Sequence, residues 1–377
     1  MSEVYLDHHS ATRPLPEVVE AMLPFFGRYW GSTTSLHQKG QELFVPMKEG
    51  VERLLRSLGA SSADRVYFFS SYAEAMGHLF FSYYLEEMLP SGKNTVLTTN
   101  TEEAALLMSI KRLEELGSHG RILPVDAQGQ LTKTRLAEAI NPRSSLLSLS
   151  GANGLTGVIQ PLEELSSLCK ERGLHVHVDA SYLIGKLPFS FKDLDIDFLT
   201  FDGSILHAPK GTAALVVKEK TPLPPPLSSM TGICVGGLVA LAQALEAGVE
   251  RTELMGLEIA RLRDKLEKGV LQGCPGAEVV FKKMRRLPNC TVLTFSKIHS
   301  DALLFLLHRH QVYASLGGGH AQRLSHLLVA SEIDSVRAQC ALSFSLSFQT
   351  TEEEIDRAIA VIIKCVHQLS QQSRALR

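Results

Sequence analysis

Two aspartates stand where this chain is well placed to do chemistry, because each follows a short apolar run. Asp179 ends the alternating segment 175–178, and Asp202 follows the apolar run 197–201. Open α/β sheets bind ligands in the crevice outside the carboxyl ends of their strands. We therefore expect both carboxylates to lie at the rim of a sheet, where they can contact a ligand.

Paired histidines are the second feature that could do chemistry. His175 and His177 share one face of a predicted strand, and His308 and His310 lie two positions apart near the end of a predicted helix. Neither pair is joined by a carboxylate or a cysteine at a spacing that would complete a zinc site. Both pairs are more typical of half-buried polar side chains, and we predict no metal site.

The surrounding sequence predicts an α/β fold that would position these side chains. Apolar strands alternate with amphipathic helices between residues 60 and 220, as expected for βαβ units and a mainly parallel sheet. A segment rich in proline and serine, 221–229, predicts an extended linker. A long helical stretch at 237–268 follows the linker, and alternating strands and helices beyond it predict a second, smaller α/β unit.

Composition excludes several classes of function. The chain has 377 residues and a formal net charge of −2, with no block of basic residues, so we expect neither nucleic acid nor a membrane surface as its main partner. None of the six cysteines forms a C-x-x-C pair, and no apolar run approaches the roughly 18 residues that span a bilayer. The N-terminus lacks the apolar core of a secretory signal. These features predict a protein of the reducing cytoplasm.

Several segments carry a resemblance to a known family. The runs HVDASYLIGKLP (177–188) and DFLTFDGSILHAPKGTAALVV (197–217), with YLD and ATRP near the N-terminus, resemble the NifS-type cysteine desulfurases. That family belongs to the class V aminotransferase group of fold-type-I enzymes, which depend on pyridoxal phosphate (PLP). The resemblance implies a large domain at 16–250, with a mainly parallel seven-stranded sheet, and a smaller α/β domain built from 1–15 with 251–377. It also implies a homodimer.

The positions that carry the chemistry of this family are mostly changed in this chain. In the family a lysine holds PLP as a Schiff base, a histidine stacks on the cofactor ring, an arginine binds the substrate carboxylate, and a loop cysteine accepts the sulfur. The corresponding positions here are, in that order, Ile205, Glu103, Ser343 and His320. Asp202 also replaces a hydroxyl residue that binds the cofactor phosphate.

The resemblance leaves six residues as candidates for contacts with PLP: Asp179, Ser70, Ser71, Asn153, Tyr182 and Ser204. The first matches the aspartate that bonds the pyridine nitrogen and keeps the ring protonated as an electron sink. The serines at 70 and 71 lie where the family binds the phosphate at a helix N-terminus, a position that favours an anion. Tyr182 replaces a glutamine, and Asn153 is one residue out of register with the family's asparagine, which aligns with Gly154.

Three hypotheses about function follow. The first is a NifS-related protein with lost or altered chemistry that works through binding, as a homodimer, as a heterodimer with a related desulfurase, or with a sulfur-transfer protein of iron–sulfur assembly. The second is an active desulfurase or lyase in which Lys186 or Lys210 replaces the missing lysine. The third is an enzyme that binds PLP or its amine form without a covalent bond, using Asp179 with His207 or His320.

Overall fold

A computed structural model of the chain describes residues 3–227, 229, 232–318 and 322–375. The strands in these residues are β1 Val4–Tyr5, β2 Arg65–Phe69, β3 Thr95–Thr99, β4 His119–Leu123, β5 Ser144–Ser150, β6 His175–Asp179, β7 Phe198–Asp202, β8 Ala213–Val217, β9 Ala277–Val280, β10 Cys290–Phe295, β11 Val312–Tyr313 and β12 Ala341–Ser345. The principal helices are Pro16–Met22, Phe44–Ser57, Tyr72–Tyr83, Ala104–Glu114, Lys133–Ala139, Leu162–Glu171, Val235–Glu250, Ala260–Gly273, Ser300–Arg309, Leu324–Ala330 and Glu352–Ala375.

A seven-stranded sheet forms the centre of the larger part of the molecule. Its strand order is β2-β8-β7-β6-β5-β3-β4. Strands β7, β6, β5, β3 and β4 are parallel, whereas β8 is antiparallel to both of its neighbours. The predicted mainly parallel sheet is therefore confirmed.

Helices cover both faces of this sheet, which explains why its strands are apolar on both sides. In β8, Ala214 and Val216 join one apolar cluster, while Leu215 and Val217 join another on the opposite face. Successive side chains of a strand point to opposite faces, so the strand contributes to both layers of core. A strand buried in this way can present a polar side chain to a ligand only at its end.

A smaller three-stranded antiparallel sheet, in the order β12-β10-β9, lies in the C-terminal part of the chain. The short strand β1 pairs in parallel with β11, so the N-terminal segment joins this C-terminal part. The domain boundaries given above remain predictions.

The long helical stretch predicted at 237–268 is confirmed, although a break at residue 251 divides it. The helix Val235–Glu250 ends at Arg251, whose N–H bonds to the carbonyl of Gly248, three residues back, so its last turn tightens. Two short pieces, Thr252–Leu254 and a π-helical turn at Met255–Ile259, lead into the next helix. Among the described helices, none has the length and apolar character needed to cross a membrane.

Candidate functional site

The carboxyl ends of neighbouring parallel strands bring a group of buried acidic side chains together. Asp179 ends β6 and is 1% exposed, and Asp202 ends the adjacent strand β7. Glu102 follows β3 and reaches β5, because its Oε2 accepts hydrogen bonds from both the N–H and the hydroxyl of Ser150, each 2.7 Å long. The rim predicted from the sequence is therefore where these carboxylates lie.

Both carboxylate oxygens of Asp179 are hydrogen-bonded within the chain. Oδ1 accepts bonds from the N–H and the hydroxyl of Ser181, at 3.0 and 2.6 Å, and Oδ2 accepts one from the hydroxyl of Tyr72, at 3.1 Å. Burial raises the pKa of Asp179 to about 7, and the charge of Glu103 acts in the same direction. A tyrosine hydroxyl is thus bound to the carboxylate whose family counterpart contacts the pyridine nitrogen.

Tyr72 reaches this position because it is the first residue of a helix that begins at the rim of the sheet. Ser71 caps the helix Tyr72–Tyr83, its hydroxyl accepting a bond from the N–H of Glu74. The tyrosine ring is 5% exposed and lies in the core on one face of the sheet. Sequence reasoning missed this residue, although a large aromatic directly after the serines predicted to bind the phosphate was a visible signal.

The serines predicted to bind a phosphate are occupied by a side chain of the same helix. The N–H and hydroxyl of Ser70 both donate to Oε2 of Glu74, at 3.1 and 2.6 Å, and both serines are exposed. A carboxylate therefore already lies at this helix N-terminus, where the unpaired N–H groups favour negative charge.

Tyr182 and Glu103 form a second buried pair beside Asp179. The tyrosine hydroxyl lies 3.0 Å from Oε1 of Glu103 and 3.1 Å from the carbonyl oxygen of His9. Its ring lies against Gly154, where a Cβ atom would come within 2.2 Å of Cε1 of the tyrosine. The tyrosine ring thus takes space that an asparagine side chain at position 154 would need.

The position of the family's lysine is closed and apolar. Ile205 ends a short 3₁₀ turn, Gly203–Ile205, and is 1% exposed. The Oδ1 atom of Asp202 caps this turn by accepting a bond of 2.7 Å from the N–H of Ser204. The carbonyl of Ser204 accepts bonds from the N–H and the hydroxyl of Thr12, at 2.8 and 2.9 Å. Asp202 and Ser204 therefore support the backbone around Ile205.

The other candidate residues also make internal contacts. Asn153 Oδ1 accepts bonds from the N–H groups of residues 155 and 156, at 3.1 and 2.9 Å, so it stabilises a turn. Ser343, at the arginine position, donates to the carbonyl of Leu155 at 2.7 Å and provides no cation. Cys290 lies 3.9 Å from Ser343, and burial raises its thiol pKa to about 11, so it is not a ready thiolate. His320 lies outside the described residues.

The two lysines considered as replacements differ in position. Lys210 is exposed, whereas Lys186 is 8% exposed and donates a 3.3 Å hydrogen bond to the carbonyl of Ser181. Burial lowers the pKa of Lys186 to about 8, although the charge of Asp179 opposes the shift. Lys186, Ile205 and His207 line one small cavity of about 20 Å³. Lys186 is therefore the lysine that lies near the carboxylate cluster.

The histidines are held by neighbouring side chains and backbone. His177 is bonded to Ser148 at 2.7 Å and to Thr200 at 2.9 Å, and burial lowers its pKa to about 3. His175 lies 2.9 Å from the hydroxyl of Tyr83. His207 bonds through Nδ1 to the carbonyl of residue 13 at 2.8 Å. Among the described residues, no group of three or more His, Cys, Asp or Glu side chains could hold a metal ion.

Comparison with known proteins identifies the family. The aminotransferase class-V family matches residues 4–236. A cysteine desulfurase of Bradyrhizobium diazoefficiens is 33% identical over 99% of this chain and 96% of its own length, and the cysteine desulfurase NifS of Azotobacter vinelandii is 34% identical over 98% and 94%. A solved NifS-like protein superposes with a TM-score of 0.89 at 29% identity, over 98% of this chain and 100% of its own. The chain belongs to the aminotransferase class-V family and is NifS-like; its α/β fold matches the fold-type-I architecture.

PLP is the cofactor of this family, but the side chains at the family's own positions in this chain do not fit a PLP bound covalently at position 205. Ile205 has no amine, and the carboxylate of Asp179 already accepts a bond from Tyr72. The ring-stacking position holds the acidic Glu103, which the hydroxyl of Tyr182 contacts. The hydroxyls of Tyr72 and Tyr182 thus contact two of the carboxylates that line this site.

Proposed function

We propose that this chain is a NifS-related protein that works through binding to other proteins and does not carry out desulfurase chemistry at the family's lysine position. The observation that carries the proposal is the hydrogen bond from Tyr72 to Asp179, beside the buried Ile205. In the family, PLP is held by a hydrogen bond to the aspartate and a covalent bond to the lysine. In this chain Tyr72 bonds to the aspartate, and Ile205 cannot form the covalent bond. Its partners would be a second copy, a related desulfurase, or a sulfur-transfer protein of iron–sulfur assembly.

Exposed apolar side chains near the N-terminus support a binding role. Phe26, Trp30 and Leu36 are 73%, 68% and 92% exposed. Residues of the same N-terminal region, among them Phe44 and Met47, line part of a groove of about 920 Å³. Large apolar groups in this arrangement are typical of surfaces that another protein covers.

The first experiment is an absorbance spectrum of the purified protein with and without added PLP, followed by borohydride reduction and mass spectrometry. We expect no band near roughly 420 nm, where a protonated lysine–PLP bond absorbs, and no reduced adduct. We also expect no sulfide release from cysteine, measured beside an active desulfurase as the control. Sulfide release at the rate of the control would overturn the proposal.

A second candidate function is cysteine desulfurase activity with Lys186 as the PLP lysine. It is favoured by the burial of this amine near Asp179 and by its lowered pKa of about 8. The same reduction experiment tests it, because peptide mapping would find the adduct on Lys186, and a Lys186→Met variant would lose it. A Lys210→Ala variant is the matched control. A reversible band without any adduct would instead favour noncovalent binding of PLP.

The oligomeric state is a separate part of the proposal. We expect a homodimer by light scattering after gel filtration, and we expect the double variant Phe26→Ser/Trp30→Ser to shift it toward the monomer. A monomeric wild type that forms a complex with a related desulfurase would support the heterodimer instead. A monomer that binds neither this desulfurase nor a sulfur-transfer protein would contradict the partner role.

A further inference from the structure

We propose that a basic pocket in the C-terminal part of the chain binds an acidic segment of a partner protein. The pocket, of about 740 Å³, lies between the helix Ala260–Gly273 and the segment 282–286. It is built from elements other than those that hold the carboxylate cluster around Asp179. The proposal therefore goes beyond the proposed function, and each can fail without the other.

The pocket concentrates positive charge. Five of the side chains that line it are cationic and two are acidic, an excess of three positive charges in a chain whose formal net charge is −2. The cationic side chains are Arg263, Lys268, Lys282, Arg285 and Arg286. A local field of this sign attracts an acidic partner and orients it as it approaches.

Two of these arginines are already used within the chain. Nη1 of Arg286 lies 2.6 Å from the buried carboxylate of Glu267, and Nη2 of Arg263 lies 2.7 Å from Asp264. These pairs account for both acidic side chains of the pocket. The positive charges that remain belong to Lys268, Lys282 and Arg285.

The remaining cations are exposed and unpaired. The side chains of Lys268, Lys282 and Arg285 make no ion pair or hydrogen bond with the part of the chain that the structure describes. On the same helix, in contrast, Arg261 and Lys265 both contact Glu352, at 2.7 and 2.6 Å. The helix thus pairs Arg261 and Lys265 with Glu352 and presents Lys268 to solvent in the pocket.

The chemistry of the pocket favours an acidic protein segment over other anions. Its remaining cations are exposed, whereas a site for a small anion would have buried hydrogen-bond donors that converge on one position. Among the residues that the structure describes, no aromatic side chain lines it, so these residues offer no stacking surface of the kind found in single-stranded nucleic acid sites. Leu271 and Met284 line the same pocket and can contact apolar side chains of a peptide.

Fluorescence anisotropy of the full-length protein with a short labelled peptide of glutamate and leucine residues tests this inference. We expect saturable binding at low salt that weakens at about 0.5 M salt, because the interaction between exposed charges is screened. The Lys282→Glu/Arg285→Glu double variant should reduce the affinity about tenfold or more, the loss expected for reversing two exposed charges. Its circular dichroism should match the wild type.

The matched control is Lys111→Glu/Arg112→Glu, which reverses two exposed charges on the helix Ala104–Glu114 and should leave the affinity unchanged. Three results would overturn the inference: no saturable binding, equal loss in both double variants, or equal affinity for oligothymidylate of the same charge. Displacement of the peptide by millimolar inorganic phosphate alone would also overturn it, by pointing to a small-anion site. PLP binding is measured separately, so it reports only on the proposed function.

Discussion

The hydroxyl of Tyr72 lies 3.1 Å from Oδ2 of Asp179, at the carboxyl end of β6. The tyrosine comes from the start of a helix and the aspartate from the end of a strand 107 residues later. A buried carboxylate needs hydrogen-bond donors, because removal from water without them costs several kcal/mol. In this chain a side chain supplies the donor that a cofactor supplies in the family.

Removing this hydroxyl should weaken the fold. We expect Tyr72→Phe to lower the free energy of unfolding by about 1–3 kcal/mol, because it leaves a buried acceptor without its partner. Urea unfolding at neutral pH measures the change. Tyr67→Phe is the control; its hydroxyl makes only long contacts, 3.3 Å to Nη1 of Arg65 and 3.5 Å to the carbonyl of Leu223, so its removal should cost about 0.5 kcal/mol or less. Equal losses in the two variants would contradict the role given to Tyr72.

The contact between Gly154 and Tyr182 predicts a steric cost that depends on the tyrosine ring. Gly154→Ala should destabilise by about 1–3 kcal/mol, because the new methyl group would lie 2.2 Å from the ring. In a Tyr182→Ala background the same change should cost almost nothing. Gly77→Ala, within a helix and with open space at its Cβ position, should stabilise by about 0.5–1 kcal/mol. A cost at position 154 that persists without the ring would refute this account.

Restoring the lysine alone should not restore the cofactor. We expect Ile205→Lys to bind no PLP covalently, because Tyr72 still occupies Asp179 and Glu103 still adds negative charge. Adding Tyr72→Ala, Tyr182→Gln, Glu103→His, Gly154→Asn and Asp202→Ser should produce a borohydride-stable adduct on the new lysine. The control is the same set of five substitutions with Ile205 retained, which opens the site but provides no amine for a covalent bond. Covalent binding by the single variant would show that the tyrosines do not close the site.

The raised pKa of Asp179 predicts a pH dependence of stability. Its pKa rises from 3.8 to about 7 on folding, so between these values the folded state holds more protons than the unfolded state. The associated stability is fully present below about pH 4 and is lost as the pH rises toward 7. The free energy of unfolding of Asp179→Asn, minus that of the wild type, should therefore increase across this window.

Subtraction of the wild type matters in this measurement, because buried histidines act in the opposite direction. Burial lowers the pKa of His8 to about 3 and that of His207 to about 4, so their contribution to stability falls as the pH drops below 6.5. The contributions of His8 and His207 are the same in the wild type and in Asp179→Asn, so they cancel when the two free energies of unfolding are subtracted. Asp193→Asn, at an exposed carboxyl, is the control; the same slope in both variants would contradict the assignment to Asp179.

The sequence predicted most of the scaffold because local patterns decide it. The alternation of strands and helices between residues 60 and 220 and the mainly parallel sheet were predicted and are observed. The helical stretch at 237–268 was predicted as well, but its division at Arg251 was not, because the break depends on a tightened last turn that no proline announces. Periodicity shows which face of an element is apolar, but it does not show where a helix bends.

The sequence by itself determined the fold class, the family and the altered positions, including Ile205, Glu103 and Ser343, because these follow from residue types in order along the chain. Only the tertiary structure decided what fills the site. Tyr72, Asp179 and Tyr182 come from different elements, and their hydroxyls and carboxylates meet only when helix and strand ends pack together. Hydrogen bonds between such distant residues depend on three-dimensional position, which no spacing along the chain encodes.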